Sequence, residues 1–273
     1  MRKVLLATTA LVAMSVTAAH ADVSISGSGS FEINDTTSSQ TYSSDGSISI
    51  KGSSTTDSGL TLTAMSQLKF EGGAVNDSYI DIAGDFGSIR MGNTDDALDR
   101  NDGALPSTYD IEGMTNSPNA QVGGDNVNIS FISPSMSGVS IYGASTANGT
   151  TNGLGLTYSN GPIQATYQTG TVATGTDETM MAASLTMGAF KVSAGHGTQD
   201  TGSAKTKTNE FGGTYTMGDM TLVAVQTKTP ATTSKSVGLS YAIAPGLSFS
   251  AESAELTGTN ADTATYMGLH VAF

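Results

Sequence analysis

Residues 234–255 read SKSVGLSYAIAPGLSFSAESAE, and this stretch decides the fold class. Val237, Leu239, Tyr241 and Ile243 take every second position, with Gly, Ser and Ala between them. Pro245-Gly246 then interrupts the run, and a second alternating segment follows. A period of two puts apolar side chains on one face of an extended strand and polar ones on the other. Pro-Gly marks a tight turn. The segment is therefore a hairpin of two strands, each apolar on one side only.

The same pattern fills the chain from Asp22 onward. Val23, Ile25, Phe31 and Ile33 share one parity, as do Leu60, Leu62, Leu68 and Phe70, then Val127, Ile129 and Phe131. Leu154, Leu156 and Tyr158, then Ile163, Ala165 and Tyr167, then Phe190, Val192 and Ala194 repeat it. Turn signals such as Asn160-Gly161-Pro162, Met187-Gly188-Ala189 and Met217-Gly218-Asp219 punctuate the runs. They alternate with looser polar stretches at 34–45, 71–76, 145–151, 169–177, 198–207, 228–234 and 256–263. The spacing predicts sixteen strands, at 23–33, 46–53, 60–70, 77–84, 86–92, 126–132, 138–145, 152–159, 162–168, 178–187, 189–197, 208–217, 219–227, 234–243, 246–255 and 264–273. Within 219–227, Leu222 and Val223 compete for the apolar face and leave its parity open. No segment carries a 3.6-residue period, so the chain reads as all-β.

Composition narrows what such a chain can be. Of 273 residues only 13% are charged, about half of the roughly 25% usual in globular chains. Hydrophobic residues reach 37% and aromatics 6%, while Gly numbers 33. Mean hydropathy is −0.08, and beyond the N-terminus no stretch approaches the roughly 20 apolar residues of a membrane helix. A formal charge of −13 argues against nucleic acid, whose binding needs Lys and Arg to displace counterions. Cysteine is absent, which excludes disulfides, thiolate nucleophiles and Cys-built metal sites. Residues 1–21 read as a cleaved signal peptide: Arg2 and Lys3, an apolar run from Val4 to Val16, then Ala19-His20-Ala21. Removing two bases and no acids takes the charge from −13 to −15 and leaves 22–273 as one exported domain.

A soluble sandwich or barrel displays charge on its outer face, whereas here the polar face is mostly Gly, Ser and Thr. Short turns alternating with longer loops, an even strand number and strands of about ten residues are the pattern of an outer-membrane barrel. Closure is also what lets strands cross lipid, because it leaves no unpaired edge. The expected fold is thus a 16-stranded antiparallel transmembrane β-barrel with short periplasmic turns and longer outer loops. A secreted or surface β-rich adhesin is the alternative.

Met267, Leu269, Val271 and Phe273 share one parity at the end of the sequence. This ending resembles the C-terminal strand by which outer-membrane proteins are recognised by their assembly machinery. The start DVSISGSG (22–29), the stretch GDFGSIRMGNTDDA (84–97) and the closing strand together resemble general porins of the alphaproteobacterial, Rhodobacter-like kind. That resemblance implies a trimeric barrel in the outer membrane that passes ions and small hydrophilic solutes, with an inward-folded third loop as its constriction. The chain departs from the family in being short, lacking Trp and having few arginines.

Residues 93–125 form the longest connection and occupy that third-loop position. Connections of such length are usually functional or disordered. The loop carries Asp95, Asp96, Asp99, Asp102, Asp110, Glu112 and Asp125 against one base, Arg100. On the early strands Ile48 and Ile50 leave Lys51 on the opposite face, Leu68 and Phe70 leave Lys69 there, and Ile89 and Met91 leave Arg90 there. Turned toward lipid at mid-membrane, each base would cost about 2–4 kcal/mol, so all three are expected on the lumen wall. The resemblance sets such bases opposite the acidic loop, giving a transverse field, and opposed charges in a pore sort ions by sign. The excess of acids predicts mild cation preference. Asp95, Asp96, Asp99 and Asp102 are also candidates for Ca²⁺, which takes several oxygen ligands, although they lack the EF-hand spacing.

No catalytic motif supports an enzyme. His196 and His270 are the histidines left after processing, and no G-x-S-x-G, H-E-x-x-H or P-loop is present. A barrel hydrolase is the enzymatic alternative. No cofactor is required by the expected function.

Overall fold

The computed structural model describes residues 22–70, 75–94, 127–173, 175–259 and 261–273. Its strands in chain order are β1 (Asp22–Thr36), β2 (Gln40–Thr55), β3 (Thr61–Lys69), β4 (Val75–Gly84), β5 (Gly87–Thr94), β6 (Val127–Ile132), β7 (Val139–Ser145) and β8 (Asn152–Asn160). They continue with β9 (Ile163–Ala173), β10 (Thr176–Met187), β11 (Phe190–Asp200), β12 (Lys205–Met217), β13 (Met220–Lys228), β14 (Thr232–Ala244), β15 (Leu247–Gly258) and β16 (Asp262–Ala272). Each strand pairs antiparallel with its sequence neighbours, and β1 pairs with β16 from Ser28↔Ala272 to Thr36↔Ala264. The sixteen strands thus form a closed barrel.

The alternation read from sequence becomes an inside and an outside. Val23, Ile25, Phe31, Ile50, Leu62, Ile80, Leu154, Phe211 and Val237 are exposed on the outer wall. Ser130, Thr166, Ser184, Ser193 and Ser236 are buried against the inner one. A continuous band of exposed large apolar side chains is far more than a water-soluble surface carries, and it is what a lipid-facing wall requires. β13 settles the open parity. Leu222 points outward at 40% exposure, while Val223 and Val225 turn inward at 8% and 7%.

The strands run longer than their apolar alternation. β1 and β2 stay paired up to Asp35↔Gln40, although 34–45 reads as a loop in sequence. β9 and β10 continue through Asp177↔Thr171, and β11 and β12 through Asp200↔Lys205. Above the lipid band both faces of a hairpin meet water, so Ser and Thr suffice on both and the period of two disappears. Connections at this rim shrink accordingly, to Thr37–Ser39, Thr201–Ala204 and Thr229–Ala231. They still exceed the turns Asp85–Phe86, Gly188–Ala189, Gly218–Asp219 and Pro245–Gly246 at the opposite rim.

Three aromatic rings lie over glycines of a neighbouring strand. Tyr142 on β7 covers Gly155 on β8, Phe70 covers Gly46 on β2, and Phe273 covers Gly27 on β1. In each case a Cβ on the glycine would collide with the ring. At the seam, Gly27 N–H donates to Phe273 O at 2.9 Å and Phe273 N–H donates to Gly27 O at 3.0 Å. At Gly87 a positive φ of 107° opens β5, a conformation that L side chains rarely take.

Candidate channel lumen

The inner wall is built by the polar parity of every strand, so side chains far apart in sequence meet by register. Lys51 on β2 lies opposite Met65 on β3, and Met65 lies opposite Tyr79 on β4. Asp81 on β4 lies opposite Arg90 on β5. Arg90 Nη2–H and Nε–H both donate to Asp81 Oδ2, at 2.8 and 3.1 Å, and each side chain is only 13% exposed. The guanidinium carbon sits 3.7 Å from the centre of the Tyr79 ring, a cation–π contact that fixes its plane. Arg90 is therefore held by an acid of the adjacent strand as well as being placed on the inner wall. Lys69, farther along β3, faces Ser47 across the register.

Lys69 also lines a recess of about 570 Å³ on the inner wall, together with Ser28, Ser30, Asp45, Ser248 and His270. His270 Nε2 lies 2.7 Å from Ser250 Oγ and 3.2 Å from Tyr266 Oη. Ser250 has no solvent exposure, so its hydroxyl is a partner for the imidazole and not an accessible nucleophile. His196 belongs to the outward parity of β11, where its Nδ1 lies 2.8 Å from Asn209 Oδ1 on β12.

Three inward carboxylates lie on the far wall, where no sequence motif singles them out. Glu178 on β10, Glu210 on β12 and Glu252 on β15 are all buried. Gln199 Nε2 donates to Glu178 Oε1 at 2.6 Å, and Thr227 Oγ1 donates to Glu210 Oε2 at 3.4 Å. Lys191 on β11 is a fourth inward base, between outward Phe190 and Val192. The parity argument that places Lys51, Lys69 and Arg90 places it too, but only the early strands carry the family resemblance.

Asp95, Asp96, Asp99, Asp102, Asp110 and Glu112, and with them most of the 93–125 connection, lie outside the described residues, as does the 1–21 segment. Among the described residues no group of three or more His, Asp or Glu is placed to hold a metal ion. Met267, Leu269, Val271 and Phe273 all point outward from β16 and its end, the parity expected of them.

A polar, charge-lined interior inside a closed barrel with an apolar outer band defines a membrane pore protein. The family model of Gram-negative porins matches residues 7–269, and the chain belongs to that family. It is accordingly a protein of the bacterial outer membrane. A loop-deletion mutant of OmpT, an outer membrane protein of Vibrio cholerae, superposes with a TM-score of 0.78 at 14% identity, over 93% of this chain and 99% of that one. In-vitro folded OmpT in its trimer form gives 0.76 at 12% identity, over 93% and 99%. A doubly substituted variant of Rh. blastica porin gives 0.76 at 21% identity, over 92% and 100%. At these identities the likeness is one of fold. Comparison with curated proteins gave no match.

Proposed function

We propose that this barrel is a passive diffusion channel for ions and small hydrophilic solutes, mildly cation-selective and without enzymatic activity. The observation that carries the reading is the inner wall itself: charged side chains from β2, β3, β4, β5, β10, β11, β12 and β15 all turn inward while the outer band is apolar. Water and ions are the contents such a wall suits, since a charge facing lipid at mid-membrane costs about 2–4 kcal/mol. Cation preference is supported by the formal charge of −13 and by Glu178, Glu210 and Glu252 facing inward. We assign 1–21 as a cleaved export signal and 93–125 as a constriction loop whose acids face the basic wall of Lys51, Lys69 and Arg90. Calcium held by Asp95, Asp96, Asp99 and Asp102 belongs to the same proposal. A homotrimer is favoured by the trimeric form of the structurally similar OmpT, and the last strand is the proposed handle for the assembly machinery. The absence of an exposed hydroxyl at the Ser250–His270 contact favours a channel over a hydrolase.

The test is conductance in a planar bilayer with a KCl gradient across it. Stepwise ohmic currents with a cation-signed reversal potential support the proposal. An anion-signed potential overturns the selectivity, and no conductance from folded protein overturns the channel.

A further inference from the structure

The inner wall is not evenly open. Along β7–β16 the inward side chains of Tyr142, Gln168, Met180, Glu210, Ser250 and Tyr266 are at most 4% exposed. On β1–β3, by contrast, the inward Ser28 and Asp45 are exposed and Lys69 is half-buried. A solute inside the barrel therefore reaches the β1–β3 sector, where Lys69 and Asp45 share the recess of about 570 Å³.

Register sets the charges of that recess. Lys69 on β3 lies opposite Ser47 on β2, and Asp45 is the next inward residue along β2. Diagonal positions on one face are about 7–8 Å apart, and strand side chains stand roughly perpendicular to the sheet. The ammonium and the carboxylate thus project side by side into the lumen. They are not joined. Neither takes part in an ion pair among the described residues, unlike Arg90 and Asp81 on the same wall. Asp45 Oδ1 instead accepts the Gly46 N–H at 2.6 Å, which ties the carboxylate to its own strand. Between the two charges stands Ser47, its hydroxyl 3.2 Å from that of Ser28. Gln67, one inward step from Lys69, donates Nε2 to Ser49 Oγ at 3.2 Å. Hydroxyl and amide groups that both donate and accept therefore floor the gap.

Opposite charges held apart over hydrogen-bonding groups complement a solute of the same layout with the signs exchanged. An inorganic ion satisfies one of the charges and a sugar neither. The two charges of a free α-amino acid lie too close together, whereas two residues of extended chain span about 6.6–7.2 Å. We infer that the recess is a subsite for zwitterionic solutes of dipeptide size. The carboxylate lies on Lys69, the ammonium on Asp45, and the peptide group over Ser47 and Gln67. This rests on the barrel being an open channel, and it names a solute class that the wall of that channel would enrich.

The experiment is block of the potassium current in a planar bilayer at low KCl by glycylglycine, by glycine and by N-acetylglycinamide, the last matching glycylglycine in length without its charges. Glycylglycine should lower the current saturably. Its half-saturating concentration should lie about fivefold below those of the other two, the order expected of one exposed ion pair. Lys69→Gln and Asp45→Asn should each remove that advantage. Lys205→Gln, at a rim base paired with Asp200 at 3.8 Å, should leave it unchanged. The KCl conductance of each variant, recorded before the solute is added, shows that it is folded and open. Equal block by the three solutes, or a glycylglycine advantage that survives both recess substitutions, overturns the inference and leaves the channel standing. Absence of KCl conductance from the folded parent overturns both.

Discussion

Neutralising one partner of the Arg90–Asp81 pair should move ion selectivity in opposite directions depending on which partner is removed. With both present, at 2.8 Å, the pair contributes little net charge to the lumen. Asp81→Asn leaves Arg90 uncompensated, and Arg90→Gln leaves Asp81 uncompensated. For an ion passing about 7 Å away through water, one unit charge is worth about 0.6 kcal/mol. At 0.1 M salt the Debye length of about 10 Å reduces this to about 0.3 kcal/mol. Cation and anion shift oppositely, so the cation-to-anion permeability ratio should change about threefold per charge. The assay is the reversal potential under a KCl gradient for Asp81→Asn, Arg90→Gln and the double variant. Asp81→Asn should move it toward anions, Arg90→Gln toward cations, and the double variant should return to the parent value. Raising both salt concentrations tenfold should erase most of the difference. Same-signed shifts from the two single variants, or a double variant whose shift is as large as that of either single one, would refute the placement of this pair on the conducting wall.

Other consequences follow from the same geometry. Gly155→Val forces the Tyr142 ring off β8, and the overpacking should cost about 1–3 kcal/mol in urea unfolding of the refolded barrel; unchanged stability would show that the ring has room elsewhere. At the rim, Thr37 and Thr263 hydrogen-bond to Asp262 and hold its carboxyl below its usual range. A lowered folded-state pKa gives stability that is present above the unfolded value and lost as pH falls through the folded one. The Thr37–Ser39 connection should therefore keep its hydrogen-exchange protection at neutral pH and lose it only in acid below about pH 3.9, and Asp262→Ala, which removes the acceptor, should lose it at every pH. If calcium bridges Asp95, Asp96, Asp99 and Asp102, adding EGTA uncovers carboxylates and should raise cation preference; a reversal potential indifferent to EGTA removes the metal from the proposal.

The sequence displays the barrel because a lipid-facing strand is a two-sided object with an obligatory period. The hairpin from Val237 to Phe249 is read as easily in sequence as in coordinates. Legibility fails where the environment stops being two-sided. The tip of the β1–β2 hairpin beyond Ile33 carries polar residues on both faces, and its sequence looks like a loop although Asn34↔Thr41 and Asp35↔Gln40 stay paired. Inside β13, Val223 and Val225 put apolar groups on the inner wall and cancel the contrast on which the reading relies. Lys51, Lys69 and Arg90 were accessible by parity alone. The Asp81 that holds Arg90 was not, because it stands opposite only once the register through the two-residue turn Asp85–Phe86 is fixed. Lys191, Glu178, Glu210 and Glu252 obey the same parity rule, yet lie scattered along the chain, and only the fold sets their strands side by side or nearly so in one wall.

The β1–β16 seam governs how such a molecule can be made. Every other seam joins consecutive strands, whereas this one brings Ser28 to Ala272. Closing a loop of that length instead of a ten-residue hairpin costs only about 3 kcal/mol more in chain entropy. The harder obstacle is time. Until the two strands meet, a sheet of fifteen formed seams exposes a bare row of amide and carbonyl groups on each side, intolerable in hydrocarbon and sticky in water. An unfinished barrel therefore needs a temporary neighbour at both borders, one that offers hydrogen bonds and then yields them. Gly27, which exchanges two such bonds with Phe273 beneath its ring, is where that hand-over would end.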